Sequence, residues 1–336
     1  MSTKQYWISW VAALGLMLMT VFPSRGWSAG QNASSNPEYP VHNISGFFKN
    51  TLEYDDFGDN PLGFDIWLAR VGVNAQLTDR ISANVTGGWV EPPDNNPQLV
   101  NAFIDFRVNE QFRLRAGQFL VPFGLEGQEP IFLNPLINRS LTVRTTNPLR
   151  MFRDLGVQAS GDLGMINYSA AIVNGTGANI AEQIDPKDLI GRIGLSLSQE
   201  LELGTSFHIG RYQPVGNDDD FQRVRIGADA SYEQGPYVIR AEYIYREDDQ
   251  PDGSLSQQGG YLLGGYHLTD DWQIVSRFET LDPNTDADNS EIIAWSAAVN
   301  YYFARQTRFT LNYEYRDDQG LGDSGSILTA EIQVQL

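Results

Sequence analysis

From residue 42 onward, apolar and polar residues alternate with a period of two, in segments separated by short groups of turn-forming residues. In one such segment, Phe309, Leu311 and Tyr313 alternate with Thr310 and Asn312. This alternation is typical of β-strands whose two faces meet different surroundings, whereas a helix repeats its apolar residues every three to four positions. The pattern predicts sixteen strands, at 43–54, 64–77, 80–91, 98–108, 112–121, 155–162, 166–174, 187–199, 201–212, 221–232, 236–247, 259–268, 272–281, 291–303, 307–317 and 326–336.

The connections between these strands alternate between two kinds. Short polar turns, at about 78–80, 109–111, 198–200, 269–271 and 304–306, each join two strands directly. Longer connections, rich in Asp, Asn, Gly and Pro, occupy 55–63, 92–97, 122–154, 175–186, 213–220, 248–258, 282–290 and 318–325. Short turns at one end and long loops at the other are the layout of an outer-membrane β-barrel. An even number of strands places both termini at the short-turn end, which we expect to face the periplasm.

The two faces of each strand can be assigned from energy. A charge that faces lipid at the middle of the bilayer costs about 2–4 kcal/mol. If Phe309 and Leu311 face lipid, then Arg308 and Glu314 face the interior, and a slip of one residue would reverse every side chain. We therefore predict a transmembrane antiparallel β-barrel of about sixteen strands with a polar lumen. The alternative, a soluble β-sandwich, rarely has sixteen strands, and its dry core would not accept these polar inner faces.

The first thirty residues have the pattern of a secretory signal. Lys4 precedes an apolar stretch at 10–22, and small residues near 26–28 offer a cleavage site. We predict a signal peptide at 1–29, a flexible lead-in at 30–41 and a barrel at 42–336; an uncleaved N-terminal anchor is the alternative. After this segment the sequence contains no run of eighteen apolar residues, so we predict no transmembrane helix there. These features predict export to the bacterial outer membrane.

Composition narrows the functional classes. The chain has 42 acidic and 23 basic residues in 336, a formal net charge of −19, and no cysteine. The acidic balance argues against nucleic-acid binding, and the absence of cysteine excludes a disulfide scaffold. The three histidines, His42, His208 and His267, do not lie at metal-ligand spacing. We therefore expect no metal, no cofactor and no enzymatic activity. The acids are concentrated in the long connections, where we expect a solvated acidic rim; binding of divalent cations is the alternative.

The connection 122–154 stands apart because it is basic. It carries four arginines against three acids, Glu126, Glu129 and the terminal Asp154, and it follows a strand with two more arginines. A long connection between two barrel strands can fold into the lumen, so we predict that this one narrows the pore. The predicted constriction and anion-binding residues are Arg113, Arg115, Arg139, Arg144, Arg150 and Arg153.

The face assignment places further charges on the lumen wall. The bases are Arg70, Arg107, Arg192, Arg223, Arg225, Arg240, Arg277 and Arg308; the acids include Glu53, Asp105, Glu202, Asp229, Glu242, Glu279, Glu314 and Glu331. The numbers of basic and acidic residues on this face are nearly equal, which indicates that many of them form ion pairs across strands. In a narrow constriction, however, a few guanidinium groups can decide which sign of ion passes, because they stay charged and grip anions in a fork. Two interpretations of the loop arginines stay open: they attract anions, or they pair with Glu126, Glu129 and Asp154 and hold the loop.

Two short motifs resemble a known family. The sequence LRAGQFLVPFGLE at 114–126 and the return RDLGV at 153–157 are similar to those of the phosphate-selective porin O/P family. The resemblance implies a sixteen-stranded barrel, usually trimeric, whose third long loop narrows a pore that draws anions through basic residues. The chain departs from the family in having only three lysines and in ending on Leu336 rather than on an aromatic residue.

Together these features predict a porin for passive diffusion of small hydrophilic solutes, with a preference for phosphate or other small anions. The resemblance implies that the protein is a homotrimer embedded in outer-membrane lipid. The alternative is a non-conducting outer-membrane barrel that acts as an adhesin or receptor.

Overall fold

The computed structural model describes most of the predicted barrel. The predicted signal peptide, 1–29, and residues 30–38 of the lead-in lie outside the described residues. None of the described helices is long and apolar enough to span a membrane. The described residues are 39–57, 62–90, 96–182, 184–214, 217, 219–304 and 307–336.

Within these residues, sixteen antiparallel strands form one closed barrel, which confirms the predicted fold. Each strand pairs with its neighbours along the chain, and the first strand pairs with the last to close the wall. The strands are β1 Val41–Asp55, β2 Leu62–Gln76, β3 Ile81–Val90, β4 Gln98–Arg107, β5 Arg113–Leu120, β6 Arg153–Leu163, β7 Ile166–Val173, β8 Asp188–Ser196, β9 Leu201–Tyr212, β10 Phe221–Gln234, β11 Tyr237–Gln250, β12 Gly253–His267, β13 Trp272–Asp282, β14 Ile292–Ala304, β15 Thr307–Asp318 and β16 Asp323–Gln335.

The predicted long connections at 248–258 and 318–325 are wrong. β11 and β12 continue to a turn of two residues, 251–252, and β15 and β16 continue to a turn of four, 319–322. The acidic residues in these two segments led to the prediction of loops. An acidic residue near the end of a strand is nevertheless compatible with strand pairing when its carboxylate contacts water or a cation. Asp248, for example, lies 2.7 Å from Arg225.

The two faces of the wall follow the predicted alternation. On β15, Leu311 and Tyr313 are exposed on the outer face, with 44% and 37% of their surface accessible. Thr310, Asn312 and Glu314 alternate with them and are buried on the inner face. Because apolar side chains outside and polar ones inside suit a bilayer and a wet lumen, this register places the barrel wall across a membrane.

The connection between β5 and β6, residues 121–152, lies inside the barrel; we call it the inner loop. It contains one short α-helix, α1 Leu141–Thr146, which Ser140 caps by accepting the N–H of Val143, and two 3-10 turns, Ile131–Leu133 and Arg150–Phe152. Leu136 and Val143 of the loop pack against the inner-wall residue Ile244. Where the inner wall is apolar, the loop therefore covers it, and this accounts for apolar residues on a face that otherwise carries polar ones.

Candidate functional site: the lumen and its inner loop

Buried carboxylates of the inner wall fasten the inner loop by its backbone. The carboxylate of Glu242 on β11 accepts the N–H groups of Leu125 and Glu126, at 3.0 and 3.1 Å. On β13, Glu279 accepts the N–H of Leu141 at 2.5 Å, at the start of α1. A carboxylate that accepts backbone N–H groups makes a charge-assisted hydrogen bond, which is about twice as strong as a neutral one. These contacts fix both ends of the segment 125–141 against the wall.

Inner-wall cations fasten the same segment through its carbonyl groups. Arg277 lies between Glu279 and Glu126, at 2.9 and 3.5 Å, and donates to the carbonyl of Asn138 at 3.0 Å. Arg308 donates to the carbonyl of Asn134 at 2.6 Å. These two predicted lumen arginines therefore lie under the loop and bind it.

The predicted constriction arginines do not share one environment. Arg139 is buried, donates to the carbonyls of Glu126 and Glu129 at 3.0 and 2.6 Å, and stacks on Phe152 at 4.4 Å. Arg153 is also buried and donates to Asn101 and to the carbonyl of Met151. Both guanidinium groups therefore hold the loop in place.

The other two loop arginines are more accessible. Arg150 is half-buried, and Arg144 on α1 is exposed and makes no ion pair with the described part of the chain. Arg144 is therefore the loop arginine best placed to meet a passing ion.

Most strand arginines are paired with carboxylates on the inner wall. Arg115 and Asp105 form two parallel hydrogen bonds of 2.7 and 2.8 Å across β4 and β5. Further pairs include Arg192 with Asp229 and Glu202 at 2.5 and 3.0 Å, Arg223 with Asp188 at 2.5 Å, Arg225 with Asp248 at 2.7 Å, and Arg240 with Glu129 and Glu233 at 2.8 Å each. Because each of these arginines lies against at least one carboxylate, its charge is compensated locally, and it contributes little net positive charge to the lumen.

Two arginines on the inner face differ from this rule. Arg107 ends β4 and Arg113 begins β5, and the two are directly opposite in the register. Both side chains are exposed, and neither makes an ion pair with the described residues. Like charges directly opposite one another destabilise a sheet, so this short-turn end of the lumen carries an uncompensated positive charge. Arg70, on β2, is half-buried on the inner wall.

The inner loop covers the wall unevenly. Inner-face side chains of β13 to β16 such as Arg277, Ser296 and Arg308 are buried. By contrast, Asn74 on β2 is exposed and Ser160 on β6 is half-exposed. The wall from β2 to β7 therefore borders the space that the loop leaves free.

Glu129, in the inner loop, lies between the loop and the wall at β8 to β11. Its carboxylate pairs with Arg240 and borders a small cavity of about 240 Å³ that Gln128 and Arg192 also line. Burial raises the pKa of Glu129 above the usual glutamate value, although the guanidinium of Arg240 acts in the opposite direction.

One cluster of buried polar groups was not predicted from the sequence. His208 lies 2.6 Å from Asp188, which also binds Arg223. The three side chains come from β8, β9 and β10, and no local spacing reveals that they meet. Among the described residues, no group of three or more His, Asp or Glu side chains is arranged to hold a metal ion.

Comparison with known families identifies the class. Residues 55–331 match the family described as "Putative beta-barrel porin-2, OmpL-like". The chain belongs to this family. The match supports the porin part of the predicted resemblance, but it does not assign this β-barrel porin to the phosphate-selective porin O/P family.

Solved structures of similar fold are outer-membrane proteins. A loop-deletion mutant of Vibrio cholerae OmpT is 14% identical, with a TM-score of 0.71 over 88% of this chain and 99% of that one. An anion-selective porin from Comamonas acidovorans is 12% identical, with a TM-score of 0.71 over 89% and 100% of the two chains. Salmonella typhi OmpF is 10% identical, with a TM-score of 0.66 over 89% and 100%. At such identities the likeness concerns the fold alone. No curated protein matches the sequence.

Proposed function

We propose that this β-barrel porin is exported to the bacterial outer membrane and allows small hydrophilic solutes to diffuse through its lumen. The observation that carries the proposal is the uneven cover of the inner wall. The inner loop is fastened to β11, β13 and β15, while polar residues such as Asn74 on β2 stay exposed. A fixed loop beside an uncovered polar wall makes a narrowed but wet path. The proposal involves no cofactor and no chemical reaction.

The proposed preference is for small anions, phosphate among them. Since the other strand arginines described above are paired or at least half-buried, the exposed pair Arg107 and Arg113 and the exposed Arg144 carry this preference. An ion that passes within about 8 Å of these groups feels their charge at physiological salt. Selectivity therefore depends on a few local charges rather than on the net charge of −19.

We further propose that the porin works as a homotrimer after removal of a signal peptide at 1–29. The trimer is supported by the family resemblance noted above, and one of the similar structures, Vibrio cholerae OmpT, is described in a trimer form. Chemical cross-linking of protein extracted in mild detergent tests this part: a band at three times the chain mass is expected.

Planar-bilayer recording of the purified protein tests the porin function. Discrete current steps are expected, with a reversal potential of anion-selective sign in a salt gradient. The dense packing of the inner loop favours one rival, a closed barrel that acts as an adhesin or receptor. A closed barrel would give no current steps. Current steps with a reversal potential of cation-selective sign would support the porin function but contradict the anion preference.

A further inference from the structure

A polar recess lies on the uncovered inner wall near the short-turn end. It has a volume of about 560 Å³ and is bordered by residues of β1 to β5, among them Asn43, Asn74 and Asn84 of the inner face. Cavities of roughly 300–1,000 Å³ are of the size that binds small molecules. The recess lies away from the inner loop, since none of its lining residues belongs to 121–152.

The middle of the recess is a row of asparagines. Asn43 on β1 is opposite Asn74 on β2, which is opposite Asn84 on β3, and Phe103 on β4 continues the row. Asn84 donates to Asn74 at 2.5 Å and accepts from Thr86, whereas the amide of Asn43 makes no hydrogen bond with the described part of the chain. The row therefore offers amide donors and acceptors to whatever enters the recess.

One edge of the recess is the ion pair of Asp105 and Arg115. Two parallel hydrogen bonds hold the two groups, and the guanidinium lies over the ring of Phe103, 3.9 Å from its centre. Each partner keeps hydrogen-bonding capacity: the guanidinium has further N–H groups and each carboxylate oxygen has a second lone pair. Fixed donors beside fixed acceptors suit neighbouring hydroxyl groups, one accepting from Arg115 and the next donating to Asp105.

The ion pair of Asp105 and Arg115 carries no net charge, so the recess wall itself favours neither a simple anion nor a simple cation over a neutral solute. The asparagines are neutral and strongly polar, so a plain apolar solute would leave them unpaired at a cost. This neutral lining of amides and one ion pair suits a neutral solute with many hydroxyl groups.

We propose that this recess is a weak binding subsite for neutral saccharides, of the size of one or two sugar rings, within the pore. This inference rests on the proposed porin function and names a solute class for it. A subsite that binds the solute strongly enough to draw it in, yet weakly enough to release it, raises flux at low solute concentration. The subsite does not include Arg107 and Arg113, which lie two residues beyond Asp105 and Arg115 toward the short-turn end of β4 and β5.

The test is the interruption of ion current by sucrose in planar bilayers. Sucrose is expected to cause brief, concentration-dependent interruptions, whereas polyethylene glycol of equal mass and the zwitterion glycine are expected to cause few. Asn74→Ala combined with Asn84→Ala should weaken sucrose binding by about threefold to tenfold, since each lost hydrogen bond to a neutral group has a modest effect. Asn43→Ala is a milder second variant, because that side chain makes no hydrogen bond with the described chain. Ser169→Ala, on the inner wall of β7, is the matched control and should bind sucrose as the wild type does.

Three results would overturn the inference while leaving the porin intact: current steps without interruption by sucrose, equal interruption by polyethylene glycol or glycine, or unchanged sucrose binding in both asparagine variants. A complete absence of current steps would instead remove the porin function and the subsite together. Heat-dependent electrophoretic migration equal to that of the wild type shows that each variant is folded.

Discussion

The carboxylate of Glu242 accepts the backbone N–H of Glu126 at 3.1 Å, across 116 positions of sequence. One inner-wall carboxylate thereby fastens the start of the inner loop, because its other oxygen accepts the N–H of Leu125. The loop is therefore a fixed part of the lumen wall, and its position decides how much of the lumen is open.

Glu242→Gln should loosen this attachment. The glutamine side chain has one acceptor oxygen, so one buried N–H loses its partner, at a cost of about 1–3 kcal/mol. We expect a lower unfolding temperature and a noisier open-channel current. Glu247→Gln, on the exposed end of the same strand, is the control and should change neither. A quiet, wild-type current from Glu242→Gln would show that the loop is held by other contacts.

Replacing the exposed arginine pair should change ion selectivity. In the double variant Arg107→Gln and Arg113→Gln, the ratio of anion to cation permeability should fall by roughly twofold or more, since both charges are exposed and act on any ion that passes within a Debye length of about 8 Å. Reversal potentials in a salt gradient measure the ratio. Arg80→Gln, in the exposed turn between β2 and β3, removes a charge without touching the inner face and should leave the ratio unchanged. An unchanged ratio in the double variant would place selectivity elsewhere.

The loop arginines should separate into two classes. Arg139→Gln removes buried hydrogen bonds from a charged group and should destabilise the barrel by about 1.5–3 kcal/mol, with little effect on selectivity. Arg144→Gln should leave stability unchanged and lower the anion preference slightly, because its side chain is exposed. Denaturant unfolding measures the stability of both variants, and reversal potentials measure their selectivity. If Arg139→Gln lowered the anion preference and left stability unchanged, Arg139 would be a constriction residue.

Acidity should strengthen the anion preference through Glu129. Because burial raises its pKa, this carboxyl gains a proton at a higher pH than an ordinary glutamate as the pH falls. Protonation leaves Arg240 with Glu233 alone as its carboxylate partner, so the lumen becomes more positive. Reversal potentials should therefore move in the anion-selective direction at a pH above that at which exposed carboxylates titrate. In Glu129→Gln this early step should be missing, and its persistence would assign it to another group.

The alternation of residues was sufficient to predict the strands, because the outer face must be apolar in lipid. It also predicted that Glu242 and Arg277 face inward. It could not show that the partner of each is the inner loop, since those contacts join positions more than a hundred residues apart. The predicted constriction failed to separate Arg139 from Arg144 for the same reason: burial under a loop depends on long-range packing and not on local spacing.

The saccharide recess shows a second limit of sequence reasoning. Face assignment gives the inner residues of each strand, but only the register shows which of them are neighbours. The register between β1 and β2 shifts between Lys49 and Thr51, and that between β3 and β4 shifts between Thr86 and Gly87. Such bulges leave little trace in a pattern of alternation, so the pairing of Asn43 with Asn74 and that of Asn84 with Phe103 could not be predicted.

The conducting path itself can be located with thiol chemistry, because the chain contains no cysteine. Asn74 lies on the uncovered wall, whereas Ser296 lies on the inner face of β14, where only 1% of its surface is accessible. The two variants to compare are Asn74→Cys and Ser296→Cys. In reconstituted channels, a charged thiol reagent should reduce the current through Asn74→Cys and leave that through Ser296→Cys unchanged. Reaction at Ser296→Cys but not at Asn74→Cys, or no current through either variant, would contradict a pore that runs beside a docked inner loop.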